Sequence, residues 1–296
     1  MTFLVSGCGQ SSNKKQVVIY TSQDATYAKP ILDDFERSTG IKVLAVYDSE
    51  IMKTVGLAQR LILEAKRPKC DVFWSNEELK TRQLAQKGIL NKPVYTTVFR
   101  TRHVVINTNL VSISKAPKSF AEFANPRYQN QICMAYPLFG TTGNHFQGLR
   151  VKWGEEKWKN FCLQLKSNAP HVVDGNSHVV KLVGAGQKAI GISDYDDVLV
   201  GKKSGFPIHS VSDSESGMTI YNTLAAVADS PNQEEAQILI EYLRSHKTNQ
   251  SLVNAGAAEG APKNQKESSE FSQDQWKEII EGLNEFQNYL ESLFAR

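Results

Sequence analysis

Between Gln16 and Gly88 the sequence alternates short apolar runs with amphipathic segments, and this alternation constrains the fold more tightly than any other feature. Gln16-Val-Val-Ile-Tyr20 predicts a strand buried on both faces that stops at Thr21-Ser22-Gln23-Asp24. Tyr27, Ile31, Leu32 and Phe35 then share a helical face, with Pro30 in the first turn and Gly40 at the end. Ile41 to Val46 and Asp71 to Trp74 repeat the strand pattern. Met52, Val55, Ala58, Leu61, Ile62 and Ala65 predict a second helix closed by Pro68, and Glu77 to Gln86 a third before Gly88. Repeated β-α-β units with right-handed crossovers build a mostly parallel sheet covered on both faces. Ligands of such sheets gather at the carboxyl ends of the strands. Those ends carry polar loops here: Thr21 to Asp24, Tyr47-Asp48-Ser49-Glu50, and Ser75-Asn76-Glu77.

Arg100 to Asn107 predicts a strand leading into a second unit, where the pattern restarts. Ser119 caps a short helix, Gln131 to Ala135 is a strand, and Gly140-Thr-Thr-Gly143 opens a helix through Phe146 and Leu149. Trp158, Phe161, Cys162 and Leu165 mark another helix, and His171 to Val173 a strand. Ser177 is read as the cap of the next helix, and Lys188 to Ser193 as a strand ending at Asp194-Tyr195-Asp196-Asp197. Met218 to Tyr221 predicts a return strand, and Ser230-Pro231-Asn232-Gln233 a capping box opening a helix through Leu243. Glu259 to Ser269 reads as a polar loop, and Trp276, Ile279, Ile280, Leu283, Phe286 and Leu290 as one stripe of a long last helix. Two α/β units joined by strands that cross between them make a hinged clamp.

The 296 residues are 41% hydrophobic and 22% charged, with a net charge of +3, so nothing in the balance demands nucleic acid as a partner. No apolar run reaches the roughly 18 residues of a membrane-spanning helix. Cys70, Cys133 and Cys162 lack the spacing of a paired zinc site, and the last two fall at core-facing positions. Val5-Ser6-Gly7-Cys8, followed by a polar tether to Lys15, resembles a bacterial lipobox; that likeness implies lipid attachment at Cys8 and a shortened signal segment over 1–15. The six histidines include no i, i+4 pair, and His145 is assigned to a solvated helix position. Neither a G-x-S-x-G elbow nor a Ser-His-Asp order is present.

Val18 to Asp24, Phe35 to Val43, Asp71 to Trp74, Arg100-Thr-Arg102, and Gly184 to Gly191 with the acidic end at Asp194 together resemble the class 1 extracellular solute-binding proteins of ABC importers, in their ferric-iron-binding branch. The likeness runs in order from about Gln16 to Ala261. It implies the two-lobed α/β type II fold of periplasmic binding proteins, each lobe a mostly parallel sheet flanked by helices, joined by crossing hinge strands. Residues 16–102 plus 223–262 form one lobe and 103–222 plus 263–296 the other. It implies a monomer in the periplasm or on the outer membrane face, permease and ATPase subunits as partners, a membrane link only through a lipid anchor, and no nucleic acid.

Ferric ion is a hard cation that prefers anionic oxygen donors. In ferric-binding members, tyrosines follow the strand that ends here at Ser193; Tyr195 carries over, whereas Asp196 stands where a second tyrosine is usual. From the other lobe the resemblance implies Asp24 and, beside the departing Asn76, Glu77; Tyr20, Tyr47 and Glu50 are lesser candidates. Thr141, Thr142 and Gly143 open a helix whose free N–H groups suit an anion. The resemblance implies a synergistic carbonate or phosphate there, with Arg102, while Asn176, Ser177 and Ser22 add donors. The same residues read equally as caps and turns. An organic anion held without metal (a phosphonate, sugar phosphate or carboxylate) stays open, as does an enzyme on a similar two-lobed fold, for which no nucleophile is assignable. A transcriptional effector domain would need a helix-turn-helix segment that 15 leader residues cannot hold.

Overall fold

In the computed structural model, which describes residues 15–47, 55–213, 215–266 and 268–295, the first strand β1 (Gln16–Thr21) lies between two parallel neighbours. These are β2 (Lys42–Tyr47) and β3 (Val72–Ser75). Side chains alternate along a strand, and here both directions are covered. Val17, Ile19, Val72 and Trp74 pack on helix α1 (Ala25–Thr39), and Tyr20 and Phe73 on the opposite face with helices α2 (Val55–Glu64) and α3 (Leu79–Gln86). That double burial is why these strands read as continuous apolar runs. Helix α1 buries Ala28, Ile31, Leu32 and Phe35, and stops at Gly40, whose φ of 71° lets its N–H reach Glu36 O. The helix starts at Ala25, so Pro30 sits inside it and not in its first turn.

Strand β4 (Tyr95–Asn107) is the long element of the fold. Up to Thr101 it pairs with β9 (Thr219–Ala226); from Arg102 it pairs with β7 (Ile190–Asp194) and from His103 with β8 (Ile208–Ser212). It therefore passes from one half of the sheet to the other, and β9 crosses beside it to reach β3. Beyond β7 lie β5 (Ile132–Ala135) and β6 (His171–Val173), parallel to it, giving the order β2-β1-β3-β9-β4-β7-β5-β6 with β8 on β4. Each half is parallel at its outer strands, and the crossing strands supply the antiparallel pairs. No described helix is long and apolar enough to cross a membrane.

The second half repeats the two-faced core. Val104, Ile106, Ile132, Met134, Ile190 and Ile192 face one way, against a short helix α4 (Phe120–Phe123), α5 (Gly140–Trp153) and α6 (Glu155–Ser167). Val105, Cys133, Ala135 and Val173 face the other, against α7 (Asn176–Gly184) and α8 (Tyr195–Lys203). Helices α9 (Gln233–Arg244) and α10 (His246–Ala255) return to the first half. Two more, α11 (Gln273–Glu281) and α12 (Leu283–Phe294), close the second half.

Local details correct several expectations. The apolar stripe at the end is two helices broken at Gly282, the first opened by a Ser272–Gln275 capping box. Helix α9 begins at Gln233 with Asn232 before it, so Ser230 and Pro231 lie outside the helix and no capping box forms there. Gly175, not Ser177, precedes α7. Cys70, Cys133 and Cys162 are buried free thiols, whereas Cys8 and the 1–14 leader lie outside the described residues, as do Met52 and 48–50 with Glu50.

Candidate functional site

The carboxyl ends of the parallel strands from both halves open on one cavity of about 480 Å³. Gln23 and Asp24 follow β1, Asn76 follows β3, Tyr136 follows β5, Asp174 follows β6, and Asp194 ends β7. Helices α5 and α7 begin there, contributing Gly140, Thr141, Thr142, Asn176 and Ser177, and α8 contributes Asp196 and Asp197. Tyr27 from α1 and Arg100 from β4 complete the first half's wall. Asp24, Thr141, Thr142, Asn176, Ser177 and Asp196 are thus brought together as the sequence places them.

Beneath the second wall lies a saturated polar network. Arg102 Nη1 donates to Asp194 Oδ1 at 2.6 Å, and both side chains are almost wholly buried. Thr141 Oγ1 donates to Asp194 Oδ2 at 2.7 Å and accepts from Asn176 Nδ2 at 2.7 Å, while Thr142 Oγ1 donates to Asn176 Oδ1 at 3.1 Å. Burial alone would raise the Asp194 carboxyl. Arg102, then Arg100, and the bonds from Arg102 and Thr141 outweigh it and hold the carboxyl below its ordinary range. Arg102 therefore does not line the cavity. Its guanidinium pins β4, β7 and α5 to one another, and the threonine hydroxyls are spent on the same task.

Nearer the opening the polar groups are loosely held. Arg100 Nε stands 3.5 Å from Asp196 Oδ2, and one Nη donates to Ala257 O at 2.9 Å. The carboxylate oxygens of Asp194, Asp196 and Asp197 come within 4.8 Å of one another. Burial, then the Asp194 charge, raises the Asp196 carboxyl against the pull of Arg100. The Tyr27 phenol is raised by burial and by Asp24, Asp196 and Asp197, so carboxylates of both halves act on one hydroxyl. Hard oxygen donors from both walls thus share a space that a small, highly charged cation can occupy.

Five expected ligands lie off the cavity lining, and each has a reason. Tyr195 turns away from it and stacks on His103, ring centroids 4.6 Å apart, against the apolar cluster under α7 and α8. Glu77 is buried at the junction of the halves. Its Oε2 accepts from Asn144 Nδ2 of α5 at 2.9 Å, and its carboxylate accepts from Lys80 N at 3.2 Å and 3.3 Å. Burial pushes its carboxyl up to about 7, despite the bond from Asn144 and the charge of Lys80. Ser22 is occupied by Asn76, whose N–H reaches its Oγ at 2.9 Å. Gly143 serves close packing, since a Cβ there would meet Leu138 C at 2.9 Å. Arg102 is the fifth. Tyr20 donates its hydroxyl to Glu64 Oε2 at 2.9 Å, and Tyr47 likewise does not line the cavity. His145, placed in solvent by the sequence, is wholly buried edge-on to Phe120 and is held neutral by burial and by Arg102.

The cavity residues the sequence reading passed over are Tyr27, Arg100, Asp174, Lys181 and Asp197. Asp174 and Asp197 sit at strand ends, the position that flagged their neighbours, whereas Tyr27 was absorbed into a helix face and Arg100 into a strand.

A family model described as "Bacterial extracellular solute-binding protein" matches residues 17–257. The chain belongs to that family of receptors, whose members carry this fold. Among individual proteins, a Fe(3+)-binding periplasmic protein of Serratia marcescens is 26% identical, with 86% of this chain and 84% of that protein covered. Iron-bound HitA from Pseudomonas aeruginosa superposes with a TM-score of 0.79 at 17% identity, over 94% of this chain and 99% of that one. AfuA from Actinobacillus pleuropneumoniae with fructose-6-phosphate bound gives 0.81 at 15% identity, over 95% and 98%.

Proposed function

We propose that this protein is the extracytoplasmic receptor of an ABC importer and that its cargo is ferric iron carried with an anion. The observation that bears the most weight is the meeting of oxygen donors across one cavity: Asp24 and Tyr27 on one wall, Asp194, Asp196 and Asp197 on the other. The sequence relative described as Fe(3+)-binding supports the same cargo. On this reading Asp24 and Asp196 hold the metal, Tyr27 supplies the phenolate in place of Tyr195, and the anion lies toward Thr141, Thr142, Asn176 and Ser177. Residues 16–102 plus 223–262 and residues 103–222 plus 263–296 act as the two lobes. Ligand atoms touching both favour the closed form, because binding shifts a pre-existing equilibrium toward the state with more contacts. The closed monomer then docks on permease and ATPase subunits from the periplasm or outer membrane face, with a diacylglyceryl group on Cys8 as its tether. It performs no catalysis on this account.

Elemental analysis of natively purified protein and a tyrosinate-to-iron band in the visible spectrum test the reading. Tyr27→Phe is expected to abolish the band and weaken iron about tenfold or more, whereas Tyr195→Phe leaves both nearly unchanged. A band that survives Tyr27→Phe and disappears in Tyr195→Phe returns the role to Tyr195. Absence of iron from native and reconstituted protein alike defeats the reading. The 480 Å³ cavity supports the second reading, an organic anion without metal, because it falls within the size range of organic-ligand pockets.

A further inference from the structure

Two charged groups facing the cavity are left incomplete. Arg100 is 8% exposed, and its Nε has no hydrogen-bond partner among the described residues. Asp196 is 7% exposed, and its Oδ1 has none either. Leaving a buried polar atom unpaired costs about 1–3 kcal/mol. Such atoms therefore mark where a ligand supplies the missing partner. Arg100 asks for an anionic oxygen, and Asp196 for a cation or a donor.

Across the cavity, α5 and α7 both begin without a capping side chain. The side chains of Thr141, Thr142 and Asn176 bond to one another and to the buried Arg102–Asp194 pair. That network fixes the start of each helix in place, so two sets of backbone N–H groups and one guanidinium surround the same space. A liquid water takes about 30 Å³. One metal ion with carbonate or phosphate would fill a small part of 480 Å³ and could not reach both helix ends and Arg100 together.

We infer that the ferric ion is bound as a chelate of a multidentate organic acid, with the acid's carboxylates on Arg100 and the starts of α5 and α7, and the metal on the side of Asp196. This rests on the iron reading and names the form in which the iron arrives. It also moves the anion-binding role from Arg102 to Arg100. The Arg100–Asp196 contact at 3.5 Å is then a placeholder that the chelate replaces, metal toward the carboxylate and acid toward the guanidinium.

Citrate is the probe. Native mass spectrometry follows incubation with ferric citrate, ferric ion plus bicarbonate, ferric ion plus phosphate, citrate alone, or glucose 6-phosphate. The expected adduct is one ferric ion with one citrate, bound at least about tenfold tighter than iron with either inorganic anion. Arg100→Gln is expected to weaken ferric citrate about tenfold or more, with Arg100→Lys recovering part of the loss. The wild-type adduct mass decides the question even if Arg100→Gln folds poorly. Iron retained equally well without citrate overturns the chelate and leaves the iron reading standing. Iron retained under no condition overturns both. Citrate or the sugar phosphate binding alone as tightly as ferric citrate overturns the chelate in favour of a metal-free anion.

Discussion

Two arginines two residues apart on β4 meet opposite fates. Arg102 is enclosed, with Asp194, Thr141 and Thr142 around it, and lies behind the cavity wall. Arg100 lies on the wall, with one long ionic contact and an unpartnered Nε. The first belongs to a network whose donors and acceptors use one another up; the second belongs to a set with capacity to spare. Polar groups that satisfy each other hold shape, and those that do not are held ready for something else.

The sharpest way to break this comparison is Arg102→Met. It leaves Asp194 buried without its partner and is expected to cost about 3–5 kcal/mol in denaturant unfolding, far more than the ligand-side variants cost in stability. A loss below about 1 kcal/mol would show that Arg102 is not the scaffold member of the pair.

Glu77 offers a second, somewhat smaller test, because it is a ligand by sequence and a brace by structure. Its folded carboxyl titrates near 7, above the ordinary value of 4.5. The folded state therefore binds the proton more tightly than the unfolded state. The associated stability is full below about 4.5 and is lost as pH rises through about 7. Glu77→Gln keeps an acceptor for Asn144 and is expected to flatten that fall, gaining on the order of 2 kcal/mol over wild type at pH 8. Parallel pH curves for the two proteins would remove Glu77 from the account.

The smallest effect belongs to Gly143. An alanine Cβ would press on Leu138 C and O at 2.9 Å and 3.0 Å, both of them backbone atoms. Gly143→Ala is expected to cost about 1–3 kcal/mol by thermal melting and to weaken anion binding through a displaced start of α5. Unchanged melting with weaker binding would instead place Gly143 itself against the ligand.

The elements legible in the sequence were those buried on both faces. Val17, Ile19 and Trp74 project toward one helix layer and Tyr20 and Phe73 toward the other, so period and burial agreed and the strands could be read directly. The strand ends were legible for the same reason, and Asp24, Thr141 and Asp196 were drawn from them. Less visible was the handover within β4. Residues 100 and 102 point the same way along an ideal strand, yet pairing passes from β9 to β7 between Thr101 and Arg102. Only the paired strands reveal which arginine is enclosed. Tyr195 was misleading on similar grounds, since its position in the chain is right for a ligand and its ring is taken by His103. Two helices read as one because Gly282 continues the apolar stripe while breaking the backbone bonds.

The ladder between β4 and β9 slips register between Thr96 and Phe99, well inside the first half. Like a score line in card, that lapse in pairing gives a bend somewhere to fall without tearing the strong rows on either side. How readily the molecule flexes is then set by a few residues remote from the cargo. Release rate and grip become separately adjustable, so one can drift over generations while the other is conserved by need.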